Sequence, residues 1–240
     1  MRVLIVYAHH EAQSFNSAMR RTAERALLAA GHDVCVSDLY EMGFDPVSDR
    51  RNFTTVANPH RLDQQAEERL AASEGGFAPD VAVEIQKLLW CDLLILQFPV
   101  WWMGMPAIMK GWIDRVLALG VAYGGGRWFD QGKMVGKRAM LAITLGGPAI
   151  AYTDRGIYGP IDIVTQPLNH GVLGFVGFSV IEPFIVYGPG RMIDAQRAEI
   201  LDSYAERLRH IDRAPLVPQL RSADYDGFVL RNVRPDVCAA

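Results

Sequence analysis

Cysteine is scarce in this chain: three in 240 residues, Cys35, Cys91 and Cys238, with no CxxC or CxH spacing. An odd and scattered set excludes a disulfide framework and a zinc finger, and it suits a reducing, cytoplasmic compartment. Cys35 and Cys91 are expected as small buried apolar residues. A surplus of either charge is also missing. Lys and Arg number 24 against 27 Asp and Glu, a net charge of −3, and no segment clusters basic residues, so a nucleic-acid footprint is excluded. Long hydrophobic runs are absent as well. "MRVLIVYAHH" is too short for a secretory leader core, and the apolar region 87–109 is broken by Asp92, Gln97, Pro99 and Pro106, so no membrane span is expected. Neither GxxxxGK[ST] nor GxGxxG occurs, which removes a P-loop and a Rossmann dinucleotide fingerprint.

What remains is a regular alternation. "RVLIVYA" (2–8), "HDVCVSDL" (32–39), "DLLILQF" (92–98), "KRAMLAITLGG" (137–147) and "FSVIEPFIVYG" (178–188) read as strands. Helices are expected over 14–30, 79–91, 106–119, 161–173 and 192–211, with one more near 63–73 inside a polar excursion, 40–79. Apolar strands alternating with helices predict an α/β fold: a doubly wound, parallel five-stranded sheet of flavodoxin-like order 2-1-3-4-5 with helices on both faces. One domain over 1–215 and a tail over 216–240, lying on the surface or on a partner subunit, complete the expectation.

Ligands of such sheets bind beyond the carboxyl ends of the strands, at the switch point. That rule selects three loops. In "AHHEAQSFNSAM", Ser14 is a plausible N-cap, and the amides of Phe15, Asn16 and Ser17, with a histidine at 9 or 10, could hold a phosphate. In "QFPVWWMGMPAIMKGWIDRV" (97–116), Pro99, Val100, Trp101, Trp102, Met103 and Gly104 offer flat, polarizable surface. A core or dimer-interface cluster explains Trp101 and Trp112 more simply than ligand contact does. "TLGGPAIAY" brings Thr144 and two glycines, then the Tyr152 phenol. Anion capture, an apolar face and polar edge donors together are what a flavin nucleotide needs. Among smaller signals, Lys110 and Asp114 form a solvated i,i+4 pair, Arg115 is expected to pack on a neighbouring element, and His170 to lie at the surface.

These loops, with "SDLYEMGFDPVSDRRNF", "EGGFAPDVAVEIQKL" and "TLGGPAIAYTDRGIYG", resemble the NAD(P)H:quinone oxidoreductase (DT-diaphorase) family from residue 2 to about 210. FPxxWxGxPAxxKGWxDRV is its most specific motif. The resemblance implies FAD rather than FMN, NADH or NADPH as donor, a quinone acceptor, ping-pong hydride transfer and a homodimer with shared active sites. It puts pyrophosphate contacts on His9, Phe15 and Asn16, with Ser14 adjoining, and isoalloxazine contacts on Pro99, Val100, Trp101, Trp102, Met103, Thr144, Leu145, Gly146 and Gly147. Tyr152 falls at the flavin pyrimidine edge and Arg197 at the adenosine half. Tyr123, Gly125 and Phe175, with Trp102 and Met103, wall the substrate pocket across the dimer.

Three positions depart from the family pattern. Tyr158 stands for a histidine, Met103 for a phenylalanine and Gly125 for a tyrosine. Tyr152, Tyr158 and the amides of Gly146 and Gly147 are therefore expected to stabilise charge at the flavin edge by hydrogen bonding alone. Gly174 occupies the position of a metal ligand in some relatives, so no metal is expected. An FMN-dependent azo- or nitro-reductase, and an ancillary flavoprotein of a potassium-efflux transporter, are the competing readings.

Overall fold

In the computed structural model, which describes residues 1–231, apolar strand runs make a sheet buried on both faces. Strands β1 (Arg2–Tyr7), β2 (Asp33–Asp38), β3 (Leu93–Pro99), β4 (Arg138–Leu145) and β5 (Ser179–Tyr187) pair in parallel in the order β2-β1-β3-β4-β5, as expected. Every residue of the central strand β3 is buried, so its continuous Leu-Leu-Ile-Leu run needs no polar alternation.

Helices cover both faces. Helix α1 (Phe15–Ala29) and helix α6 (Asp194–Arg209) bury Met19, Leu27, Tyr204 and Leu208 against Val3, Ile5, Ile95 and Met140. Helices α3 (Pro79–Trp90) and α4 (Ala107–Val116) bury Val81, Ile85, Leu88, Met109 and Trp112 against Leu4, Val6, Leu96 and Leu141. The excursion holds helix α2 (Gln64–Glu74), capped by Asp63 and closed by left-handed Gly75. Arg115 is buried and donates to Asn52 Oδ1 at 2.7 Å and to the Asp45 carbonyl at 2.6 Å, which ties the excursion to α4. Lys110 and Asp114 form the exposed pair.

Three helices differ from the sequence reading. The helix expected over 106–119 ends at Val116, because the buried Glu68 carboxylate takes the Leu119 amide at 2.6 Å. The helix expected over 161–173 splits into α5 (Asp162–Leu168) and a π-helical turn, Asn169–Gly174. Pro167 has no N–H to give the ladder, and the chain widens just after it. The last helix is shorter at both ends.

Pro183 sits in edge strand β5, beside a register shift between Met140 and Ala142 of β4. The segment after Pro215 lies along that edge: the Glu182 amide donates to the Pro215 carbonyl and the Val217 amide to the Val180 carbonyl. Beyond it, β6 (Tyr225–Asp226) and β7 (Val229–Leu230) form a small hairpin that no sequence period announces. The remainder of the tail, with Cys238, falls outside the described residues. Cys91 is buried and Cys35 half-buried, both free thiols. No helix among the described residues is long and apolar enough to cross a membrane, and no metal-binding cluster occurs among them.

Candidate functional site

The β1–α1 loop is built around one serine. Ser14 Oγ accepts the Ser17 amide at 3.1 Å, and Ser17 Oγ donates to the Glu11 carbonyl at 2.8 Å. The Ser17 amide is therefore occupied and does not face an anion, contrary to expectation. Helix geometry leaves the amides of Phe15 and Asn16 without intrahelical acceptors. His9 Nδ1 accepts the Glu11 amide at 3.0 Å. Burial, then the neighbouring His10, pushes the His9 pKa down, and with Nδ1 accepting, the neutral ring carries its proton on Nε2.

A buried polar ladder fixes this loop to the sheet. Asn16 Nδ2 donates to Thr144 Oγ1 at 3.0 Å, and Gln97 Nε2 donates to the Asn16 carbonyl at 2.7 Å. The fully buried Tyr204 hydroxyl donates to Gln97 Oε1 at 3.5 Å. Four elements (α1, β3, β4 and α6) are thereby locked together at the strand ends.

The β3–α4 loop contains a two-residue turn. Trp101 and Gly104 exchange backbone hydrogen bonds of 2.9 and 3.0 Å, leaving Trp102 (φ +51°) and Met103 (φ +59°) at its tip. A turn of this kind favours glycine or asparagine, and side-chain-bearing residues there are strained. Trp102 is 102% exposed, and Trp101 and Met103 each 37%. Trp112 is core, its indole N–H donating to the buried Glu84 at 2.8 Å. Trp101 is not core: it stands 5.8 Å from His10 and 6.2 Å from His9, ring to ring.

At the end of β4, Leu145 is buried and Gly146 exposed. A Cβ on Gly146 would meet nothing within 4 Å; on Gly147 it would touch Tyr152 Cε2 at 3.1 Å and Tyr158 Cε2 at 3.4 Å. Tyr152 and Tyr158 pack with ring centres 5.1 Å apart, and Tyr187 lies 5.7 Å from Tyr152. Burial raises the Tyr152 pKa, and the neighbouring Gly147 backbone opposes that rise. The four residues expected at the flavin edge thus form one cluster, with Gly147 packed against Tyr152.

A cavity of about 490 Å³ joins the first and third loops, lined by His9, Ser14, Phe15, Asn16, Thr144 and Arg197. Arg197 donates to the Pro189 carbonyl at 3.1 Å and pairs with Asp194 at 2.9 Å. Gln13, Pro189, Gly190 and Leu201 also line it and were missed from sequence. The signal was available, since "GPGR" (188–191) follows the carboxyl end of β5, where the strand-end rule applies as at the other loops.

Tyr123 and Phe175 meet elsewhere, 6.2 Å apart over a cavity of about 220 Å³ that Glu68 also lines. Burial, then Glu68, raises the Tyr123 pKa. Gly125 is exposed in the following loop (φ +70°). Within one chain Tyr123 and Phe175 line a different cavity from the β1–α1 loop residues. His170 is not a free surface residue: it is half-buried and stacks on Phe129 at 4.8 Å.

A flavodoxin-like-fold family model matches residues 1–210. An NAD(P)H dehydrogenase [quinone] 1 of Cavia porcellus is 43% identical over 217 residues, 90% of this chain and 79% of that protein. The Homo sapiens ribosyldihydronicotinamide dehydrogenase [quinone] is 38% identical over 90% of this chain and 94% of its own. Among solved structures, a Klebsiella pneumoniae protein described as a candidate quinone reductase superposes with a TM-score of 0.91 at 39% identity, over 99% of this chain and 95% of that one. The strand order, the loop geometry and these relatives agree, and the chain belongs to the NAD(P)H:quinone oxidoreductase family of flavodoxin-like fold and is an oxidoreductase.

Proposed function

We propose that the chain binds FAD and reduces quinones with NADH or NADPH by a ping-pong route, as a homodimer with shared sites. One observation carries this reading: a roughly 490 Å³ cavity at the head of α1 brings His9, Ser14, Phe15, Asn16, Thr144 and Arg197 together. The residues fit the group. Phe15 and Asn16 amides at a helix N-terminus, with a neutral His9 donor, suit phosphate oxygens. The open space over Gly146 admits a ring edge. The cavity continues past the phosphate position to Leu201 and Arg197 on α6, room that an adenosine half uses and FMN does not.

Bound FAD would supply the two-electron chemistry. Pro99, Val100, Trp101, Trp102, Met103 and Leu145 are proposed to bear its ring system. Trp102 projects fully from a strained turn, so its indole offers a face without disturbing the core. Tyr152, packed beside Gly147 and with its pKa raised, keeps its proton at neutral pH and can offer a hydrogen bond to a developing negative charge. Tyr158 packs on Tyr152 and restricts its ring. Tyr123 and Phe175 line a separate cavity in this chain, which supports their serving, with Gly125 in the following loop, the site of a second copy.

Residues 1–215 are proposed as the catalytic unit, and the two free thiols suit a reducing cytoplasm. Stopped-flow mixing of FAD-reconstituted protein with each nicotinamide, then with a quinone, tests the route. Flavin bleaching by donor alone and reoxidation by quinone alone are expected; bleaching only when both are present contradicts the ping-pong order. Tyr158→Phe should slow bleaching only mildly, and a collapse would show that Tyr158 does more than orient.

A further inference from the structure

The turn after β5 is docked on the flavin-edge loop by contacts that the family resemblance does not assign. The Gly188 amide donates to the Leu145 carbonyl at 2.7 Å, and the Arg191 guanidinium donates through Nη1 to the Gly146 carbonyl at 2.7 Å. The turn closes on itself, with the Arg191 amide donating to the Gly188 carbonyl at 2.9 Å. Gly188 takes a left-handed φ of +62°, and a Cβ there would come 3.5 Å from the Gly147 carbonyl oxygen. Little slack exists between the two loops.

Arg191 differs from Arg197, which lines the cavity. Arg197 is paired with Asp194 at 2.9 Å, whereas among the described residues no carboxylate lies within ion-pair distance of Arg191. Its side chain is exposed, and among the described residues its one polar side-chain contact is the carbonyl of a peptide unit whose opposite edge matters. That peptide is planar and trans, so the Gly146 C=O and Gly147 N–H point in opposite directions. Holding the oxygen holds the peptide, and Gly147 packs on Tyr152: a Cβ there would lie 3.1 Å from Tyr152 Cε2 and 3.4 Å from its phenol oxygen.

We propose that Arg191 is a positioning residue of the flavin edge, fixing the Gly146–Gly147 peptide and, through it, Tyr152, while its unpaired charge favours flavin reduction. The proposal rests on the flavin reading above. Two-electron reduction brings negative charge to the pyrimidine edge, the end of the ring that Tyr152 is proposed to meet. A guanidinium bonded to the adjoining peptide stabilises that charge directly, and by holding the peptide it keeps Gly147 packed on Tyr152.

The test compares wild type with Arg191→Gln and Arg191→Lys, each reconstituted with FAD. The midpoint potential is read by anaerobic dye equilibration, and Gly147 amide exchange is read on the FAD-free protein. Arg191→Gln should make two-electron reduction about tenfold less favourable, about 30 mV at two electrons. It should also speed Gly147 exchange with unchanged global stability. Arg191→Lys, which keeps the charge, should recover most of the potential. An unchanged potential in Arg191→Gln, or an equal fall in Arg191→Lys, overturns the proposal. Colourless wild type would refute the flavin reading instead, while unaltered Gly147 exchange in Arg191→Gln would still overturn the positioning role.

Discussion

Replacing Gly146 with Ala should move stability and cofactor affinity in opposite directions. The position does not adopt a left-handed φ, and the new methyl meets no protein atom within 4 Å. Removing a glycine from the unfolded chain should therefore stabilise the FAD-free protein by about 0.4–1 kcal/mol. If the ring edge lies over this peptide, the same methyl intrudes on it at a cost of about 1–3 kcal/mol, a loss of about 5- to 150-fold in affinity. Urea melts of the FAD-free protein give the first quantity and quenching of FAD fluorescence on titration gives the second. Unchanged FAD affinity would refute the placement of the ring edge, and a lowered melt would refute the claim that the space is open. Gly147→Ala is the contrast, since its methyl lies 3.1 Å from Tyr152 Cε2 and should perturb Tyr152 without any ligand.

Trp102→Gly should stabilise the FAD-free protein by up to about 1 kcal/mol, because it relieves a left-handed backbone and removes no packing, while weakening FAD binding. A lower thermal midpoint would show that the turn is not strained. Trp112→Phe should cost about 1–3 kcal/mol in urea unfolding, since it strips the fully buried Glu84 of an indole donor at 2.8 Å; a smaller cost would mean that Lys87 alone satisfies that carboxylate. Asp92 is held down to about 2 by its side-chain bond to Arg2. Its folded pKa is thus depressed, so its stabilisation is present above pH ~4 and disappears as pH falls from ~4 to about 2. The pair is 46% and 39% exposed, so the effect should stay under about 1 kcal/mol. Asp92→Asn should be less stable than wild type at pH 7 and converge with it in acid; a constant gap down to pH ~2 would contradict the assignment.

The parallel sheet was legible because β1, β3 and β4 are dominated by apolar runs, which a doubly covered parallel sheet accommodates. The start of α1 was legible through Ser14, whose side chain caps the helix by accepting the Ser17 amide. Sequence could not show that Glu68 ends α4 by taking the Leu119 amide, since that contact joins residues 51 positions apart. Nor could it place the π-helical turn, where Pro167 only marks a break, or the tail on β5. Trp102 and Met103 read as flat surface from composition, but their left-handed backbone is invisible until Trp101 and Gly104 pair. Arg191 was passed over because an exposed arginine in a Gly-Pro turn looks ordinary until its acceptor is known.

The central claim is that the strand-end cavity and the loops beside it hold FAD. Equilibrium dialysis of purified protein against FAD and FMN, read by visible absorbance, tests it most directly. One FAD per chain, retained in preference to FMN and released by heat as intact FAD, is the predicted result; protein that stays colourless with both would contradict it.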